Sequence, residues 1–119
     1  MQIGFIGLGI MGTPMAGHLL KAGHTLHLHS KGPIAQELVA AGGTVYPTGA
    51  EAARKSDVII VMVPDTPDVA DVLFGTYGVA SGLAKGKTVV DMSSISPIET
   101  KGFAERIRAL GCDYLDAPV

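Results

Sequence analysis

The stretch that decides the fold of this chain is QIGFIGLGIMG, residues 2–12. Residues 3–6 form a short, mostly apolar run, which is typical of a buried β-strand. Gly7, Gly9 and Gly12 follow directly, with the spacing G-x-G-x-x-G. The chain has 16 glycines, so this spacing alone could arise by chance. Its place immediately after a strand is what predicts a loop that binds the pyrophosphate of a dinucleotide.

The same loop opens a helix, because Met11, Met15 and Leu19 recur one turn apart. In such a loop the first glycine allows a tight turn and the second lets the backbone approach the pyrophosphate, while the third lets the helix pack against the strand. The helix amino end adds N–H groups and a favourable dipole. We predict cofactor contacts at Gly7, Leu8, Gly9, Ile10, Met11 and Gly12. Two other interpretations stay open: a tight turn without a ligand, and a methyltransferase that binds S-adenosylmethionine.

The rest of the chain alternates short apolar runs with segments of helical period, which is the pattern of βα units around a parallel sheet. Residues 57–63 are almost all apolar, as expected of a strand buried on both faces. Thr48 and Glu51 have the spacing of a capping box. Strands are predicted at residues 3–6, 25–29, 44–46, 57–63, 88–92 and 113–117, and a helix at 33–41. The prediction is one α/β domain, residues 1–119, with a doubly wound parallel sheet of the Rossmann type that is incomplete in its sixth strand.

Composition narrows the function classes. With 47% hydrophobic and 17% charged residues, the chain has ample material for a packed core. A net charge of −2 argues against a nucleic-acid-binding protein, which usually carries a basic face. The longest apolar run, residues 58–64, is far shorter than a membrane span. The single cysteine, Cys112, cannot form an internal disulfide, which favours a reducing compartment. We expect a soluble cytoplasmic protein without nucleic-acid or membrane partners.

The four histidines do not predict a metal site. His27 and His29 lie two apart on one predicted strand and could face the same side. A catalytic zinc site usually needs three protein ligands. His18 and His24 lie on or just after the first helix, where neither completes a cluster. We therefore expect no bound metal.

Cofactor choice is expected to depend on the end of the second strand, about 20 residues past the glycines, where an acidic residue would bind the ribose 2′-hydroxyl of NAD. Ser30 stands there instead, and Lys31 follows it. A lysine can hold the 2′-phosphate of NADP, although without the two-pronged grip of an arginine. We predict contacts at Ser30 and Lys31 and a preference for NADP with NAD accepted. The alternative for Lys31 is a solvated loop lysine.

Four motifs together resemble the β-hydroxyacid dehydrogenase family. They are FIGLGIMGTPMA at residues 5–16, MVPDTP at 62–67, VDMSSISP at 90–97 and DAPV at 116–119, in the order and at the spacing of that family. The resemblance implies reversible hydride transfer between NAD(P)H and a small hydroxy acid, with tartronate semialdehyde and D-glycerate as the favoured pair. The alternative substrate is 3-hydroxyisobutyrate or another small β-hydroxy acid.

The resemblance also implies site residues. Ser94 matches a contact near the nicotinamide ribose, while Val63 and Pro64 match a segment against the ribose or adenine. The alternative is that these residues, like Ser93, serve only turns and the core.

The family's substrate-binding turn, its catalytic lysine and its helical C-terminal domain would follow Val119. We therefore expect no catalytic residue among these 119 residues, and a homo-oligomer for the full-length protein. A dinucleotide-binding module without turnover is the alternative from another class.

Overall fold

Six strands form one sheet in the computed structural model, which describes residues 1–8, 12–31, 34–63, 66–93 and 97–117. The sheet order is β3-β2-β1-β4-β5-β6, and all five pairings are parallel. This order is that of a doubly wound dinucleotide-binding sheet. The predicted fold class is confirmed. The strands are β1 (Gln2–Ile6), β2 (Thr25–His29), β3 (Thr44–Val45), β4 (Val58–Val61), β5 (Thr88–Asp91) and β6 (Asp113–Asp116).

Helices cover both faces of the sheet and enclose two cores. One core joins β1 and β2 to Ala16 of α1 and Leu38 of α2. The other joins β1, β4, β5 and β6 to three further helices through side chains such as Ala52, Leu73 and Ile107. The helices are α1 (Gly12–Lys21), α2 (Gln36–Ala40), α3 (Gly49–Arg54), α4 (Thr66–Phe74) and α5 (Pro97–Ala109), and a 3-10 turn spans Val79–Gly82. None of the helices in the described ranges is long and apolar enough to cross a membrane.

The local sequence correctly predicts the start of α3 but not the length of α2. The Thr48 side chain accepts a hydrogen bond from the Glu51 backbone N–H at 3.2 Å, so the predicted cap of α3 is confirmed. The helix predicted at residues 33–41 is only five residues long and begins at Gln36. Ala35 is extended, with ψ 129°, and has no side chain that could cap the helix.

The prediction that β4 is buried on both faces is confirmed for one face, and the other face is only half-buried. The residues of β4 alternate between buried and half-buried. Ile60 pairs in register with Val90, and Val90 with Leu115, which places three apolar side chains on one face of adjacent strands. Ile60 and Val90 are half-buried, and Leu115 is exposed. Ile60 packs against the core that α1 and α2 help to form, and Leu115, at the outer strand, is exposed, so the described helices cover this face only in part.

The histidine pair on β2 is held by hydrogen bonds. The His27 ring lies 2.7 Å from Gln2 Oε1 and 2.9 Å from the Tyr46 hydroxyl, and His29 Nδ1 lies 3.0 Å from the Tyr46 carbonyl. Both nitrogens of His27 are therefore engaged. No group of metal-ligating side chains occurs in the described part of the chain. Burial, followed by the nearby charge of Lys55, lowers the pKa of His27 below its ordinary value of 6.5.

This lowered pKa predicts a loss of stability in mild acid. As pH falls below about 6.5, the unfolded chain protonates His27 before the folded chain does, so the free energy of unfolding decreases. One such group contributes at most about 1.4 kcal/mol per pH unit. In urea unfolding between pH 7.5 and 5.5, His27→Gln should therefore show a shallower pH slope than the wild type. The exposed His18→Gln should keep the wild-type slope, and a wild-type slope in His27→Gln would contradict this account.

Candidate functional site

The turn after β1 is confined by its neighbours. Gly7 has φ +90°, a conformation that side chains rarely adopt. Its N–H donates to the His29 carbonyl at 3.0 Å, which fixes the turn to the end of β2. A Cβ on Gly7 would lie 2.2 Å from the Met62 carbonyl oxygen, just beyond β4. The turn therefore lies between the carboxyl ends of β2 and β4, and only glycine fits there.

The start of α1 lies against the same turn. A Cβ on Gly12 would lie 2.7 Å from the Gly7 carbonyl oxygen and 3.2 Å from Phe5 Cε1. The close helix–strand packing predicted for Gly12 is thus present. Gly9, Ile10 and Met11 lie outside the described residues, and cofactor contacts at all six loop positions stay predictions.

Two glycines of α1 provide a matched test of this packing. Gly12→Ala should destabilise the fold by about 1–3 kcal/mol, because the new methyl overlaps backbone and an aromatic ring. Gly17→Ala should stabilise it by about 0.5–1 kcal/mol, because the new Cβ meets only Leu38 Cδ2, at 3.9 Å, and glycine is a poor helix former. Urea unfolding of both variants measures the two signs, and equal effects would contradict the described packing.

The end of β2 comes next to the turn. The Leu8 N–H lies 3.5 Å from Ser30 Oγ, and Ser30 is half-buried. The Lys31 ammonium contacts the Asp71 carboxylate of α4, with both side chains largely exposed. Three predicted site residues, Gly7, Leu8 and Ser30, are thus brought together, and Lys31 follows them on the surface.

The ends of β4 and β5 are joined in the same way. Ser93 is buried, and its hydroxyl accepts a hydrogen bond from the Val63 N–H at 3.0 Å. This bond favours the turn role for Ser93. Val63 is half-buried and packs against the core, so it has a structural role whether or not it also contacts the cofactor. Pro64 and Ser94 lie outside the described residues, and their cofactor contacts stay predictions.

Sequence reasoning missed the residue that holds this edge together. Asp91 is fully buried; its Oδ1 accepts a hydrogen bond from the Ser93 N–H at 2.9 Å, and its Oδ2 accepts one from the Tyr114 hydroxyl at 2.5 Å. Burial, and then the hydrogen bond to Asp91, raises the pKa of Tyr114, which therefore stays a donor at neutral pH. The signal that could have found this network is an acidic residue within the predicted fifth strand, residues 88–92.

Removing the Tyr114 hydroxyl should destabilise the fold. Tyr114→Phe leaves a buried carboxylate oxygen without its donor, which costs about 1–3 kcal/mol or more. Tyr77 is 68% exposed, so Tyr77→Phe should change the free energy of unfolding by less than about 0.5 kcal/mol. Urea unfolding at pH 7 compares the two variants. Equal stability of Tyr114→Phe and the wild type would contradict a stabilising role for the hydrogen bond between Tyr114 and Asp91.

The arrangement suits a dinucleotide. The chain reverses direction across the sheet between β1 and β4, and ligands of such sheets bind outside the carboxyl ends at that point. The groups gathered there are the backbone at the start of a ten-residue helix, a serine hydroxyl and a lysine ammonium. Such donors fit a pyrophosphate and a ribose.

The profile of the NAD binding domain of 6-phosphogluconate dehydrogenase matches residues 2–119. The chain belongs to this NAD-binding domain family. The family resemblance predicted from the motifs is therefore confirmed, and so is the expectation of a nicotinamide dinucleotide.

Individual proteins with this NAD-binding domain are similar over the whole chain. A 2-hydroxy-3-oxopropionate reductase of Escherichia coli K12 is 58% identical over all 119 residues, which cover 41% of its length. A mitochondrial 3-hydroxyisobutyrate dehydrogenase of Mus musculus is 39% identical over 98% of the chain and 35% of its own length. The chain thus spans about two fifths or less of the curated relatives it matches.

Solved structures agree with this assignment. A Mycobacterium tuberculosis 3-hydroxyisobutyrate dehydrogenase, solved with L-serine, superposes with a TM-score of 0.88 at 31% identity, over 98% of this chain and 40% of that one. An imine reductase of Myxococcus stipitatus in complex with NADP⁺ gives a TM-score of 0.85 at 30% identity, over 98% and 40%. These similarities place the NAD-binding domain among oxidoreductases.

Proposed function

We propose that residues 1–119 are the cofactor-binding domain of an oxidoreductase that transfers a hydride between NAD(P)H and tartronate semialdehyde, yielding D-glycerate. The observation that carries the cofactor half is the Gly7 turn held between the ends of β2 and β4. The substrate rests on the 58% identity with the 2-hydroxy-3-oxopropionate reductase. The alternative substrate is 3-hydroxyisobutyrate, which the 39% identity with its dehydrogenase supports less strongly.

Each part of the edge has a proposed task. The N–H groups of residues 7–12 and the start of α1 hold the pyrophosphate, and Ser30 and Lys31 receive the adenosine ribose and a 2′-phosphate. Val63 and Pro64 support the ribose or adenine, and Ser94 contacts the nicotinamide ribose. The bound cofactor supplies the hydride. We propose a preference for NADP with NAD accepted.

The proton donor for the substrate oxygen is proposed to lie outside these 119 residues. Lys85 and Lys87 precede β5 and lie at the amino ends of the strands, opposite the glycine turn. The Lys87 ammonium donates to the carbonyls of Ala53 and Arg54 at 2.7 and 2.9 Å, which caps the end of α3. Lys101 is exposed on α5. For the whole protein we propose a cytoplasmic homo-oligomer.

A chimera tests the proposal. Residues 1–119 would replace the matching segment of the E. coli 2-hydroxy-3-oxopropionate reductase, and NADPH oxidation would be followed with tartronate semialdehyde and with the semialdehyde of 3-hydroxyisobutyrate. We expect turnover of tartronate semialdehyde by the chimera and none by the 119-residue chain alone. General acid catalysis contributes roughly 10²–10⁴-fold, and the isolated chain lacks the proposed donor.

The controls separate cofactor binding from folding. Gly9→Val in the chimera should abolish turnover because the backbone can no longer approach the pyrophosphate. Gly17→Ala, within the α1 helix that follows the loop, should retain turnover. A folded chimera without turnover would contradict the proposed activity and favour a non-catalytic module. Full turnover by the Gly9→Val chimera would contradict the pyrophosphate loop.

A further inference from the structure

Lys31 already has a partner. Its ammonium contacts Oδ2 of Asp71, 40 residues further along the chain, and so links the end of β2 to the surface of α4. The two side chains are 69% and 54% exposed. Exposed pairs of this kind contribute little to folding stability. Stability therefore does not explain why this ion pair lies beside the proposed ribose site.

A second carboxylate lies on the same side of α4. Asp68 precedes Asp71 by three residues, which places the two side chains on neighbouring positions of the helix surface. The hydrogen bond and charge of Asp71, and more weakly the charge of Asp68, raise the pKa of Lys31. The ammonium thus stands in a field that is already negative.

A 2′-phosphate would have to enter that field. Such a group carries roughly two negative charges at neutral pH. It gains from Lys31 but is repelled by Asp71, and it must compete with that carboxylate for the same ammonium. NAD has a hydroxyl at this position and meets neither effect.

We propose that Asp71 is a specificity-determining residue, whose carboxylate competes with the 2′-phosphate of NADP for Lys31 and keeps the preference between NADP and NAD small. The inference rests on the proposed cofactor site. It gives a physical reason for the proposed acceptance of NAD by a domain that has Ser30 in place of an acidic residue and Lys31 after it.

Calorimetric titration of the 119-residue chain with NADP and with NAD tests this directly. Asp71→Asn should tighten NADP by about tenfold, since unit charges a few ångströms apart at a surface interact on that scale, and should change NAD by less than about twofold. Asp113→Asn removes the same charge at the opposite edge of the sheet and is the matched control. It should leave the ratio of the two dissociation constants unchanged.

Two further measurements test whether the effect of Asp71→Asn on NADP affinity is electrostatic and acts through Lys31. Raising the ionic strength should shrink the effect of Asp71→Asn, because a Coulombic effect is screened and a packing effect is not. In a Lys31→Met background, Asp71→Asn should gain less for NADP, because the ammonium that it frees is missing. An additive gain in the double variant would overturn the competition for Lys31.

The failures can be told apart. If the wild type binds both dinucleotides and Asp71→Asn leaves their ratio unchanged, or tightens both equally, the inference about Asp71 is wrong and the cofactor site stands. If the wild type binds neither dinucleotide, the proposed function fails and this inference fails with it.

Discussion

The structure depends on the close approach of the β1–α1 turn to the ends of its two neighbouring strands. A side chain on Gly7 would overlap the backbone beyond β4, and one on Gly12 would overlap the carbonyl of Gly7 itself. Because Gly7 and Gly12 have no side chains, α1 can begin directly against the end of β1. This is the point where the chain changes its direction across the sheet. The amino end of α1 therefore lies at the carboxyl edge of the sheet, where its free N–H groups can bind an anionic ligand.

The other half of that edge depends on a buried acid. Asp91 binds the Ser93 backbone through one oxygen and the Tyr114 hydroxyl through the other, and Ser93 in turn binds Val63. The ends of β4 and β5 are thus tied to each other and to Tyr114 of β6. A buried polar network with every member satisfied gives a more rigid frame than apolar contacts alone. The loops that are predicted to meet the nicotinamide begin on that frame.

The sequence predicted the fold well because its evidence is local and periodic. The apolar runs and the loop glycines each identify a strand or a turn without reference to the rest of the chain. The partial cover over Ile60 and Val90 depends on distant partners, because it follows from which helices lie on that face. The late start of α2 is a local feature that its sequence pattern did not reveal: Ala35 is extended, and the helix begins only at Gln36. The Asp91–Tyr114 bond and the Lys31–Asp71 pair join residues 23 and 40 positions apart, and no local pattern predicts them.

We propose that a dinucleotide binds along the carboxyl ends of β1, β2, β4 and β5. The most direct test is backbone amide NMR of the chain during titration with NADPH. We expect the largest shift changes at Leu8, Ser30 and Val63 and almost none at Lys87 or Asp113, on the opposite edge. An outer groove between α1 and α2 offers a competing location; among the residues that line it are His18, Lys21 and Glu37. Changes confined to that groove, or no changes at all, would contradict the account.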